Sequence, residues 1–199
     1  MSNIVYTSTY SEPPFDIDEA ARYAGIRKLL EEDRKRLEDC FSECHDILSY
    51  KVCHASFGIS TQGDVIDLGF TTVRSADLAR RLSDSESVIV FCATVGAMLD
   101  RLIAKYSRLS PSRALLLQAI GTERIEAVCE LFVRDISERL TATGKSLCQR
   151  FSPGYGDLPL ELQTEIFKAL EPNKKIGITL GGSLLMSPTK SVSAIIGVR

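Results

Sequence analysis

The stretch Arg150-Phe-Ser-Pro-Gly-Tyr-Gly-Asp-Leu-Pro159 places one aromatic residue, Tyr155, between Gly154 and Gly156, with Pro153 just before them and Arg150 at the head of the run. Pro153 fixes its own φ and biases Ser152 toward extended geometry, while the two glycines permit positive φ or a close backbone approach to a ligand. A loop built this way holds a ring and a guanidinium in place and leaves backbone N–H groups exposed between them. The same spacing also suits an ordinary tight turn with a packing tyrosine.

The segments on either side of this loop set the expected architecture. Residues up to Pro14 read as extended or poorly ordered, ahead of a single domain over residues 15–199. Asp16 is an N-cap for a short helix through Ala24, with Gly25 as its C′ residue. From Ile26 to about Leu48, Ile26, Leu30, Leu37, Cys40, Phe41, Cys44, Ile47 and Leu48 fall on one face and charged residues on the other, which predicts an amphipathic helix. Its charged face reads as solvated. Tyr50–Ser60 and Asp64–Phe70, separated by Thr61-Gln-Gly63, predict a β-hairpin rich in Val, Ile and Phe. Ser75 caps a short helix through Leu82, Ser87–Ala93 is a buried strand, and Thr94-Val-Gly96 turns into a helix to about Tyr106. Ser110-Pro111 opens a long helix to about Thr141, in which Gly121 marks a possible kink or break.

After Gly144, Ser146–Arg150 is expected as a short strand feeding the loop. Pro159 then opens a helix to Leu170, Pro172-Asn173 ends it, and Ile176–Leu180 and Val192–Val198 are the closing strands. Hairpins, an isolated strand, then helices and short strands give no βαβ rhythm. The fold class is therefore α+β, one domain with a largely antiparallel sheet flanked by helices and preceded by an N-terminal helical segment.

Composition narrows the function. The 199 residues carry 44% hydrophobic and 25% charged residues, ordinary values for a globular chain. A formal net charge of -2 disfavours a nucleic-acid polyanion as partner. The longest apolar run, around Val88–Val95, is strand-sized, so no membrane span is expected. No basic segment followed by an apolar one opens the sequence, and the expected compartment is the cytoplasm. Cys40, Cys44, Cys53, Cys92, Cys129 and Cys148 form no CxxC pair and read as small buried hydrophobes. Cys40 and Cys44, one turn apart near His45 and Cys53, match none of the usual zinc spacings, so no metal site is expected. No Gly-x-Ser-x-Gly elbow, phosphate-binding loop or dinucleotide fingerprint is present, and only His45 and His54 could serve a histidine-centred triad. Gly181-Gly182-Ser183 can offer N–H groups to an anion but reads first as a turn. Chemistry carried by a bound cofactor fits this inventory.

Taken in order, Arg150–Pro159, Leu160-Glu-Leu-Gln-Thr-Glu-Ile-Phe167, Ile176-Gly-Ile-Thr-Leu180 and Ser183-Leu-Leu-Met-Ser-Pro-Thr-Lys-Ser-Val-Ser193 resemble the activation domain of cobalamin-dependent methionine synthase, in its stand-alone form. Weaker echoes lie at Phe91-Cys-Ala-Thr-Val-Gly96 and Glu126-Ala-Val-Cys-Glu130. The resemblance implies a twisted, largely antiparallel sheet and binding of S-adenosylmethionine. The methyl group would be presented to cobalamin carried by a partner, a corrinoid-bearing methionine synthase core, with electrons from a low-potential donor such as flavodoxin or ferredoxin. Reduction of cob(II)alamin is uphill, and prompt methylation traps the product. The protein would act as an accessory component with no turnover alone, positioning the sulfonium methyl.

By the same resemblance, Arg150 holds the ligand's carboxylate, a task suited to a planar guanidinium. Tyr155 is the loop tyrosine close to the corrinoid and the catalytic candidate, with Gly154 and Gly156 giving backbone access. Glu126 lines the ligand site and attracts its positive charge. Thr94 and Gly96 are further candidates. Read by themselves, Arg150 also fits the less favoured role of a surface arginine ending a strand, and Glu126 fits a solvated helix face nearly as well. The sequence departs from the fused form after the tyrosine, with Gly156-Asp-Leu-Pro159 in place of Pro-Ala-Cys-Pro. A docking module that clamps a corrinoid protein without using S-adenosylmethionine is the alternative, and a conventional small-molecule methyltransferase a third reading, disfavoured by the missing Rossmann-like pattern.

Overall fold

Val, Ile, Phe and Cys alternate along three strands whose two faces both become core. The computed structural model describes residues 4–199. Its main sheet joins β1 (Tyr6–Tyr10), β2 (Tyr50–Gly58), β6 (Ser87–Thr94) and β9 (Ser191–Val198) in the order β1-β2-β6-β9, every neighbour antiparallel. Successive side chains of a strand point to opposite faces. Val52, Ile89, Phe91, Ala93, Ala194 and Ile196 accordingly join one core, while Cys53, Ala55, Val88, Val90, Cys92 and Ile195 join the other. Burial on both faces explains why β6 is an unbroken apolar run.

The first core is covered by α1 (Ile17–Tyr23), α2 (Glu31–Cys44), α4 (Met98–Leu109) and α5 (Pro111–Thr141). Against the second core pack α3 (Ala76–Arg81), α6 (Leu162–Leu170) and a small sheet of β3 (Ser60–Gln62), β4 (Val65–Asp67) and β5 (Thr72–Arg74). A four-residue helix α7 (Pro172–Lys175) and the hairpin of β7 (Thr179–Leu180) and β8 (Met186–Ser187) complete the chain. This is the expected α+β arrangement of antiparallel sheet and flanking helices. Among the described residues no helix is long and apolar enough to cross a membrane.

Local chemistry accounts for most boundaries. Asp16 caps α1 by accepting from Glu19 N at 3.0 Å, and Ser75 caps α3 by accepting from Leu78 N at 3.0 Å. The amphipathic helix expected from Ile26 starts instead at Glu31, because Leu30 is extended and the acidic Glu31, Glu32 and Asp33 suit the positive end of the helix dipole. It ends at Cys44 and passes into a tight 3₁₀ turn over His45–Ile47. The expected hairpin of Tyr50–Ser60 with Asp64–Phe70 is also corrected. Strand β2 pairs with β1 and β6 in the main sheet, and only the short β3 and β4 form the hairpin around Gly63. Tertiary burial of an apolar strand outweighs its nearness to a turn.

Gly121 does not break α5, which runs continuously from Pro111 to Thr141. A Cβ there would lie 2.6 Å from Leu99 Cδ2, so the glycine is where α4 and α5 approach closely. The strand expected over Ser146–Arg150 reduces to two isolated bridges, Leu147 with Val198 and Phe151 with Ile195. Leu147 and Phe151 are four residues apart and their partners three, so one extra residue bulges between them and re-aims the side chains there. α6 begins at Leu162 rather than Pro159, after a turn, and ends at Leu170 as expected, with Pro172 then opening the four-residue α7. Of the closing strand expected over Ile176–Leu180, only Thr179–Leu180 is β structure.

A buried ion pair ties the N-terminal residues to this frame. Arg124, fully buried on α5, pairs with Glu123 and donates to the carbonyls of Pro13 and Pro14, each at 2.7 Å. Its guanidinium also lies over the rings of Phe15 and Phe41. Tyr10 Oη donates to Asp135 on the same helix at 3.0 Å.

Candidate functional site

The bulge beside β9 delivers the chain into the glycine loop, which is pinned at both ends. Phe151 exchanges backbone hydrogen bonds with Ile195 at 2.8 and 2.9 Å, and Gly154 N donates to Leu158 O at 2.9 Å. Pro153 and Leu158 are buried and act as pegs. Gly154 and Gly156 have φ of 87° and 55°, in the left-handed region that favours glycine. A Cβ on Gly156 would also fall 2.2 Å from Asp77 Oδ2, so the loop sits hard against the start of α3.

Asp157 makes that contact polar. Its carboxylate accepts from the Ser75 hydroxyl, from Ala76 N at 2.7 Å and from Asp77 N at 3.2 Å. The Ser75 hydrogen bond, followed by these backbone donors, holds the Asp157 carboxyl below the usual carboxylate range. Pinned on every side, the loop leaves Tyr155 standing out with 68% of its surface exposed.

Arg150 points the other way, toward α5, where its Nη2 is hydrogen-bonded to Glu126 Oε2. Both side chains are partly buried, and neither is an isolated surface charge. Behind the pair lies Cys129, whose thiol burial pushes up to about 12 and keeps neutral. Tyr23 of α1 borders the same place, its phenol pushed up to about 12 by burial first and then by the carboxylates of Glu19 and Glu126.

A cleft of about 590 Å³ opens here at the β9 side of the main sheet. Arg150, Glu126 and Tyr155 line it together, as do Tyr23, Arg81, Phe151, Gln163, Met186, Val192 and Ser193. That volume is in the range of small-molecule sites. Gly154 and Gly156 flank Tyr155 without lining the cleft. Thr94 and Gly96 are not brought into it: Thr94 Oγ1 accepts from Ser191 Oγ at 2.9 Å and from Gly96 N at 3.1 Å. Their role is to shape a strand end.

Two cleft residues escaped the sequence reading and are polar where burial is nearly complete. Gln163 Oε1 and Ser193 Oγ have no hydrogen-bond partner in the free chain. Buried polar atoms left unpaired are costly, and their place beside an ion pair suits a ligand with donors and acceptors of its own. A signal for Gln163 was present, since it shares the inward face of α6 with Ile166 and Leu170. Ser193, with Ser191, is one of two serines at the start of a strand that is apolar beyond them, which is a weaker signal.

Fold and cleft together define an α+β domain with a polar, partly charged pocket at one side of an antiparallel sheet. The profile of the vitamin B12 dependent methionine synthase activation domain matches residues 75–198, more than half of the sequence, and the chain belongs to that family. Among solved structures, the MetH reactivation domain bound to AdoHcy superposes with a TM-score of 0.70 at 15% identity, over 98% of this chain and 78% of that one. At that identity the likeness is one of fold. Comparison with curated protein sequences gives no significant match.

Proposed function

We propose that this chain binds S-adenosylmethionine in the cleft and supports reductive methylation of cob(II)alamin held by a separate corrinoid-dependent methionine synthase, in the cytoplasm. The observation that carries the reading is the Arg150–Glu126 pair facing a pocket from whose rim Tyr155 projects. An amino-acid ligand is a zwitterion, and a guanidinium beside a carboxylate is its complement. Arg150 commits Nη2 to Glu126 and keeps its other N–H groups for a ligand carboxylate. Glu126 offsets the ammonium or sulfonium charge.

The ligand supplies an electrophilic sulfonium methyl, and the partner's reduced corrinoid supplies the nucleophile. The transfer asks no proton of the protein, which accords with a cleft holding no histidine. The chain's task is to orient and to exclude water. Asp157, Pro153 and Leu158 hold the loop rigid, so that Tyr155 meets the docking partner without first being ordered. The electrons come from a low-potential donor of the flavodoxin or ferredoxin kind.

One observation favours the docking-module alternative: Arg150 already has a carboxylate partner in the free chain. Calorimetry with S-adenosylhomocysteine separates the two readings, since only the first requires binding. The decisive experiment mixes the protein with a cob(II)alamin-loaded methionine synthase core, a low-potential reductant and S-adenosylmethionine. The methylcobalamin absorbance spectrum should develop, and omission of this protein should abolish or greatly slow it. Equal rates without it would refute the function.

A further inference from the structure

Arg81, on the last turn of α3, has no part in the reading above, yet it lines the same cleft. It approaches from the side opposite α5. Its guanidinium carbon lies 4.6 Å from the centroid of the Phe151 ring, and its Nη1 donates to Gln149 Oε1 at 3.1 Å. The ring beneath it and the hydrogen bond at one end hold the guanidinium in place. The residue is exposed, so the face away from Phe151 is available to a second flat group.

The cleft therefore has two chemically distinct ends. Arg150 and Glu126 form one, where the charges already cancel. Arg81, with Phe151 and Met186 of the second core among the lining residues, forms the other, which sets one positive charge beside apolar surface. Arg150 and Phe151 are adjacent, but the first is turned to α5 and the second belongs to the core under α3 and α6. One ligand lying across the bulge meets both ends.

We infer that Arg81, presented on the Phe151 ring, is the shelf on which the purine base of the ligand stacks, making it a specificity-determining residue for the nucleoside end. This rests on the reading of the cleft as an S-adenosyl site. A guanidinium stacks on aromatic faces, and its delocalised charge is weakly hydrated, so covering it costs less than covering an ammonium. An anionic group would suit the charge as well but not the apolar neighbours. A purine suits both.

The test is calorimetry with two probes, S-adenosylhomocysteine and 5′-methylthioadenosine, the second keeping the nucleoside and lacking the amino-acid end. Arg81→Ala should weaken both by about 3- to 30-fold, the span of cation–π strengths. Arg81→Lys should weaken both to a similar degree, because an ammonium offers no plane. Arg150→Ala should weaken S-adenosylhomocysteine and leave methylthioadenosine unchanged. The inference is overturned if Arg81→Ala binds methylthioadenosine as the wild type does, or if Arg81→Lys retains full affinity, which would make charge alone the cause. It also fails if the wild type takes S-adenosylhomocysteine but not methylthioadenosine, since the nucleoside end would then contribute no grip. A wild type that binds neither probe overturns the S-adenosyl reading itself, and the inference with it.

Discussion

Replacing Arg150 with alanine separates a ligand contact from a structural one, because the structure holds an internal control. Arg150 and Arg124 are both on or against α5 and both pair with a glutamate, but their surroundings differ. Arg150 and Glu126 each keep about 30% of the side chain accessible, so Glu126 left alone is still hydrated. A partly exposed pair of this kind is worth about 0–1 kcal/mol to folding, a shift of roughly 0–4 °C in Tm for a chain of this size. A hydrogen bond from Arg150 to a ligand carboxylate is charge-assisted at both ends and contributes about 1.5–3 kcal/mol, or roughly 10- to 150-fold in Kd. Arg150→Ala should therefore lose S-adenosylhomocysteine by that factor in calorimetry while its thermal melt stays close to the wild type's. Equal affinity in the two proteins would refute the carboxylate assignment. A melt lowered by 10 °C or more would show that Arg150 is structural, and the affinity loss would then have another cause.

Arg124→Ala should behave in the opposite sense: removal of a fully buried guanidinium strands Glu123 and the carbonyls of Pro13 and Pro14, costing about 3–5 kcal/mol and lowering Tm by roughly 6–20 °C. A melt within a few degrees of the wild type's would mean the N-terminal segment is not held as described. Tyr155→Ala, at a site 68% exposed, should leave stability within about 0.5 kcal/mol and still slow methylcobalamin formation. A loss of several kcal/mol would restore the packing reading of that ring. The Asp157 anchor should be acid-labile. Its carboxyl titrates lower in the fold than in the unfolded chain, so its stabilisation is complete above about pH 4 and fades as the pH falls below that. Hydrogen-exchange protection of the Ala76 amide should drop in that acid range in the wild type and already be low at neutral pH in Asp157→Asn; protection unaffected by the substitution would refute the anchor.

Much of the fold was legible because its signals are local. Asp16 and Ser75 act as caps, Pro111 opens α5, and the apolar run of β6 is buried on both faces. What misled the reading was pairing. Tyr50–Gly58 looks like half of a hairpin because a glycine turn follows it, yet its partners are β1, some forty residues back, and β6, about as far ahead. Nothing within the segment records those partners. Gly121 was misread for a related reason: a glycine that breaks a helix and one that admits a neighbouring helix look alike until Leu99 is placed beside it.

The candidate site divides along the same line. The glycine loop, Arg150 and Glu126 could be named from residue order, and the structure puts Arg150, Glu126 and Tyr155 around one cleft. Asp157 could not, since the hydroxyl it accepts from, Ser75 Oγ, is 82 residues away and an acidic residue in a glycine loop reads as solvated. Arg81 is hidden in a further way. Its neighbour Arg80 has an ordinary helical ion pair with Asp77, and the two arginines are indistinguishable by type. Only the position of Phe151 gives one of them a flat surface to lie on. A side chain whose role is set by an aromatic ring seventy residues ahead becomes a candidate only after the sheet and the bulge beside β9 have been built.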